Sequence, residues 1–174
     1  GEEKEEEEEE EEGELNKAAK NSFQKSMSQS EGEALQRVDK LDPNYILAHT
    51  SEITHIPNGR QYKADMAELE SKGSLLRCVF SLDMANLKIL NEEKLGGVGH
   101  EAADKVLTYF AHALLTTVNA AATNMESVVL HNSYHMHGDE FCAVVASAST
   151  NAAAFQIAME KLAQSIADIS FDST

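Results

Sequence analysis

Two β-like runs of strand length, residues 127–134 and 141–148, flank a short segment that contains His137-Gly138-Asp139-Glu140. Runs of that length, rich in Val and broken by a Gly-acid pair, read as the arms and tip of a β-hairpin. A Gly followed by two acids at such a tip projects carboxylates from the end of the hairpin. A third carboxylate, Asp83, closes an apolar run, residues 75–82. If these strands are neighbours, Asp83 and Asp139 converge on one edge of a sheet. Two converging carboxylates beside open space suit a divalent metal and the phosphates of a nucleotide.

The chain has 174 residues and a net charge of −16, a size that suits one domain with appendages. Most of the charge is local. Residues 1–14 hold eleven Glu and one Lys, which leaves −6 for the remainder. A Glu run repels itself and buries nothing, so residues 1–30 read as a disordered, acidic, low-complexity tail. Three Arg (Arg37, Arg60, Arg77) and eleven Lys form no basic stripe, which argues against nucleic-acid binding. No apolar run reaches the roughly 18 residues of a membrane span, and no signal peptide is visible. Cys78 and Cys142 lie in strand-like runs without CxxC spacing. They read as buried thiols of an intracellular, reducing compartment, the cytoplasm first and an organelle second.

Ser30 and Glu33 have capping-box spacing and open a helical lead-in, residues 31–50, that Asp42-Pro43 is expected to stop. Pro57-Asn58-Gly59 is a turn signal. Tyr62, Met66 and Leu69 recur at helical spacing before Gly73. Residues 75–82 read as a strand, residues 84–95 as a helix, and Gly96-Gly97-Val98-Gly99 as a loop. Residues 100–118 form a strong helix, with Ala103, Val106, Leu107, Phe110, Leu114 and Val118 on one face. The hairpin follows, then an amphipathic helix over 150–167 with Phe155, Ile157, Met159, Leu162 and Ile166, and a last strand from Ile169 to Phe171. The order β-α-α-β-β-α-β with right-handed crossovers gives an α+β domain. It has a ferredoxin-like, palm-type four-stranded antiparallel sheet with its helices on one face. The first and third strands are then central neighbours, which brings Asp83 to Asp139 by topology.

Four blocks in register carry a resemblance. Thr54-His55-Ile56-Pro57-Asn58-Gly59-Arg60-Gln61-Tyr62 looks like T-G-L-P-N-R-R-x-F. Asp83-Met84-Ala85-Asn86-Leu87-Lys88-Ile89-Leu90-Asn91 looks like D-x-D-x-F-K-x-x-N. Residues 99–107 look like G-H-x-x-G-D-x-V-L, and His137–Phe141 looks like G-G-D-E-F. Residues 51–171 therefore resemble the GGDEF domain, the nucleotide-cyclase family that makes cyclic di-GMP from two GTP. The resemblance implies Mg²⁺ (or Mn²⁺) held by Asp83, Asp139 and the Met84 carbonyl. It implies Glu140 and Asp139 in catalysis, with Lys88 neutralising phosphate charge. It further implies Asn91 and Asp104 on the guanine edge and Gly138 giving the nucleotide close approach to the backbone. GTP is the implied partner, and the reaction needs a homodimer or a larger assembly.

The chain also departs from that pattern. Ala85 replaces the second Asp of D-x-D, Leu87 the Phe, Ala103 a Gly, and His137 the first Gly of the signature. An insertion separates Asn91 from Gly99-His100, and no R-x-x-D precedes the signature. Residues 51–174 stop at the fourth strand, before the family's final hairpin and helix. Two functions follow: a nucleotide-cyclase domain that binds GTP with Mg²⁺ and forms cyclic di-GMP, or an inactive module of the same fold kept for protein interaction or assembly. His131, His135 and His137 share parity on one strand, but without Cys they read as packed or surface histidines rather than a zinc site. The glycine loop lacks the Lys-Ser/Thr of a P-loop.

Overall fold

The computed structural model describes residues 42–84 and 99–169. The acidic tail, most of the lead-in, Ala85, Lys88 and Asn91 with the helix expected around them, and the last strand beyond Ile169 lie outside the described residues. Seven elements remain: α1 (Pro43–His49), α2 (Gly59–Glu70), β1 (Leu76–Asp83), α3 (Gly99–Thr123), β2 (Val128–His137), β3 (Glu140–Ser147) and α4 (Ala152–Ala167).

Asp42-Pro43 starts a helix where the sequence reading had it stop one. Asp42 is the N-cap of α1, accepting from the Asn44 amide at 2.9 Å, and Pro43 occupies the first turn. A proline there sacrifices only an amide hydrogen that would lack a partner anyway. Asn58 caps α2 in the same manner through the amides of Arg60 and Gln61. Its side-chain amide also donates to the carbonyls of Ala48 and Thr50. One side chain thereby closes the loop between α1 and α2.

The described sheet has three antiparallel strands in the order β1-β3-β2. The expected neighbourhood of the first and third strands is observed. β3 is the central strand, and its run Phe141–Ala146 is buried throughout. A continuous apolar run of this kind needs cover on both faces. Phe141, Ala143 and Val145 pack against Leu107, Ala111, Leu114 and Val118 of α3 and Met159, Leu162 and Ile166 of α4. Cys142, Val144 and Ala146 face the other way, onto Leu69 of α2 with Tyr62 and Met66 beside it. Helices therefore cover both faces, not one. Cys78 belongs to the first cluster and Cys142 to the second, so the two thiols lie on opposite faces; both are free. Burial pushes the Cys142 thiol up to about 11. Ile157, expected in the α4 core face, is exposed. It falls on the opposite side of the helix from Met159, Leu162 and Ile166, which face the core.

Candidate active site

The β2–β3 connection is tighter than the two β-like runs suggest, because β2 continues through His137 and pairs that residue with Glu140. Only Gly138 and Asp139 remain between the strands. Gly138 has φ +54°, a left-handed conformation that favours glycine, and no atom lies within 4 Å of where its Cβ would stand. The glycine is thus demanded by the turn and leaves open space beside it. An irregularity in pairing between His135 and His137 re-aims the strand end just before the tip.

β1 brings Asp83 to this tip. Cα pairing sets Asp83 opposite Glu140, and the next amide, that of Met84, donates to the Asp139 carbonyl at 3.0 Å. This register sets the Asp83 and Asp139 carboxyl groups side by side, near enough to compete for one proton. Asp83 is held above the usual carboxylate range, first by that competition, then by the Asp139 charge, with Glu140 adding to it. Two carboxylates side by side cannot both ionise without cost. A bound proton or cation relieves that cost, and the pair's all-oxygen donor set suits a hard divalent ion. On the residues present, the site fits Mg²⁺ or Mn²⁺.

Asp83 borders two clefts formed by the described residues. One, about 400 Å³, is lined by Tyr62, Val79, Met136, His137 and Glu140. The other, about 450 Å³, runs from Met84 to Val106, Tyr109, Phe110 and Ile166. Glu140 is exposed, and its Oε2 stands 3.0 Å from His137 Nε2. The ring that replaces the signature's first glycine therefore lies against the acid expected to act in catalysis. Asp104 is exposed on α3, and its carbonyl accepts from Thr108 Oγ1. Among the described residues no three His, Cys, Asp or Glu side chains form a metal cluster, and His131, His135 and His137 do not meet as one.

Two features escaped the sequence reading. Asp65 on α2 is buried and accepts from Gln61 Nε2 (2.7 Å), Asn132 Nδ2 (2.9 Å) and Tyr134 Oη (2.6 Å). Burial pushes its pKa up, against the pull of the three donors. Its position, three residues after Tyr62 and four before Leu69, places it on the apolar stripe of α2, and that spacing could have marked it. His135, also buried, links the signature turn to Ser51. Its parity with His131 was visible, but its partners were not.

A hairpin tip bearing Gly-Asp-Glu, beside a strand that ends in Asp, sits on an α+β fold of the palm-like type. Residues 48–173 match the family described as diguanylate cyclase, GGDEF domain, and the chain belongs to that family. No curated protein matches its sequence. Among solved structures it is similar to the diguanylate cyclase SiaD of Pseudomonas aeruginosa, solved with its activator SiaC. Identity is 17%, covering 81% of this chain and 50% of that one, with a TM-score of 0.50. It is also similar to the coiled coil and GGDEF domain of DgcB from Caulobacter crescentus in complex with c-di-GMP. There identity is 18%, covering 76% of this chain and 63% of that one, with a TM-score of 0.48. This chain thus spans half to just under two thirds of those chains. At 17% identity the likeness to SiaD speaks for the fold alone. No helix among the described residues is long and apolar enough to cross a membrane.

Proposed function

We propose that this GGDEF domain binds GTP together with a divalent cation at the Asp83–Asp139 pair. The observation that carries the reading is the convergence of those two residues, set by the Met84–Asp139 backbone bond and the pairing of Asp83 with Glu140. Asp83 and Asp139, with the Met84 carbonyl, would hold Mg²⁺ or Mn²⁺. The bound cation would offset phosphate charge in the ground state and on the leaving pyrophosphate. Asn91 and Asp104 would read the guanine edge and Lys88 would pair with phosphate. Gly138 leaves room for the nucleotide beside the turn.

In the cyclase reading, the 3′-hydroxyl of one GTP attacks the α-phosphorus of another. A phosphodiester bond forms, the α–β phosphoanhydride bond breaks, and pyrophosphate leaves. The hydroxyl proton passes to solvent or to a carboxylate near the site acting as base, for which Glu140 is the candidate. A second such step closes the ring, so two GTP give one cyclic di-GMP and two pyrophosphates. Each domain supplies one GTP, which calls for a homodimer. The free thiols Cys78 and Cys142 suit an intracellular, reducing compartment.

A second reading rests on His137. Its 3.0 Å approach to Glu140 occupies the acid that turnover needs, which favours a domain that binds nucleotide without turning it over, or one kept for assembly with a protein partner. Calorimetric titration of GTP with and without Mg²⁺, with Asp83→Ala/Asp139→Ala as control, tests the proposal. Metal-dependent binding that the double variant loses supports it. Absence of binding at millimolar GTP removes it and leaves the interaction module.

A further inference from the structure

The signature turn is tethered at two successive carbonyls. Met84 holds that of Asp139 from β1. The ring of His135 holds that of Gly138 from the other side, at 2.8 Å from Nε2. A carbonyl only accepts, so Nε2 carries a hydrogen. The other ring nitrogen, Nδ1, stands 2.7 Å from Ser51 Oγ. That oxygen already accepts from the amides of Ile53 (3.2 Å) and Thr54 (3.1 Å). Its own hydrogen is therefore the one that points at Nδ1, which accepts it. The hydrogen-bond inventory closes on a neutral imidazole of the Nε2–H tautomer. Burial, which pushes the imidazole below its ordinary pKa, works in the same direction.

The ring is fixed on its remaining sides as well. It stacks on Phe141 with centroids 4.7 Å apart and planes 20° from parallel. Its own backbone amide donates to the Pro57 carbonyl at 2.8 Å. His135 therefore joins three parts of the domain: the Ser51–Pro57 segment, the start of β3 and the Gly138–Asp139 turn. The Gly138–Asp139 peptide is trans, so with its carbonyl aimed at the ring its amide N–H faces the opposite way. Holding this peptide plane sets the Asp139 N–Cα bond and so limits where the Asp139 side chain can depart.

We infer that His135 is a positioning residue of the signature turn, holding the Gly138–Asp139 peptide through Nε2–H while Ser51 holds the ring. Its consequence for ligand binding rests on the reading of Asp83 and Asp139 as the cation–GTP site. Residues that orient a ligand-bearing group in this way are commonly worth about 10- to 100-fold in affinity.

The test uses the full chain with His135→Ala and His135→Gln, the latter able to place a carboxamide N–H near the Nε2 position. Urea unfolding selects conditions in which both are folded. Ring nitrogen NMR of the unaltered protein should report the Nε2–H tautomer. Hydrogen exchange at the Met84 amide, whose partner is the Asp139 carbonyl, should speed up in His135→Ala and recover in His135→Gln. The Mg²⁺–GTP dissociation constant should rise about tenfold or more in the alanine variant and stay within about threefold in the glutamine variant. An Nδ1–H ring, or Met84 exchange unchanged in His135→Ala, overturns the inference. If the unaltered protein binds no Mg²⁺–GTP while tautomer and exchange behave as stated, the nucleotide reading falls and the positioning role stands.

Discussion

Asp83 and Asp139 stand side by side at the edge where β1 meets the β2–β3 turn, because the Met84 amide donates to the Asp139 carbonyl at 3.0 Å and Asp83 pairs with Glu140. Side-chain repulsion at neutral pH would drive the carboxylates apart. The backbone bond and the strand pairing of Asp83 with Glu140 oppose that movement. A pair of acids kept together against their charge is a site that gains by acquiring a cation.

The pair makes stability depend on pH in a defined direction. Asp83 is raised in the folded protein, so the fold binds a proton there that the unfolded chain releases. This contribution is complete below the ordinary Asp range, near pH 4, and is lost as pH climbs through the raised value. Thermal unfolding in chelator should show a Tm contribution that declines over that window and is absent in Asp83→Asn. Mg²⁺ should restore part of it at neutral pH. Identical pH profiles for the two proteins would contradict the shared proton.

His137→Gly removes the ring that lies against Glu140. Both side chains are exposed, so the contact itself contributes at most about 1 kcal/mol. Unfolding by urea should change little. Chromatographic assay with GTP and Mg²⁺ should show more cyclic di-GMP than the unaltered protein forms. If the variant is folded, binds GTP and forms no more product, His137 is not what restrains Glu140.

Asp65→Ala should destabilise the domain by about 3 kcal/mol, since it strands the buried donors of Asn132, Tyr134 and Gln61 together. Asp65→Asn should cost less, because one oxygen remains to accept. Urea denaturation of the three proteins measures both losses. Equal losses for Ala and Asn would mean that volume, not hydrogen bonding, governs this position.

Asn58→Ala removes the cap of α2 and two side-chain donations to the α1–α2 loop. The expected loss is about 2 kcal/mol, the upper end for a cap. Asn58→Asp keeps the capping acceptor and forfeits the donations, so it should fall between the two. A loss of only a few tenths in Asn58→Ala would show that the loop holds without this side chain.

Local pattern carried much of this fold. Val-rich runs around His137–Glu140 marked β2 and β3, the apolar stripe from Ala103 to Val118 marked α3, and Asp83 at the end of β1 was placed beside the signature by connection order alone. These readings hold because hydrophobic period, turn chemistry and crossover handedness act over a few residues or through topology. Boundaries were less legible. Asp42-Pro43 reads equally as a stop or as a start, and only the chain that follows decides.

The sequence by itself determined the order of the three described strands with the helices α3 and α4 around them, and the convergence of Asp83 with Asp139. Tertiary structure alone decided that α2 covers the second face of β3, that Asp65 gathers donors 67 and 69 residues away, and that His135 reaches Ser51 across 84 residues. The reason is physical. A buried polar group takes whichever partners packing brings within about 3 Å, and nothing in a local window reports which distant side chains those are.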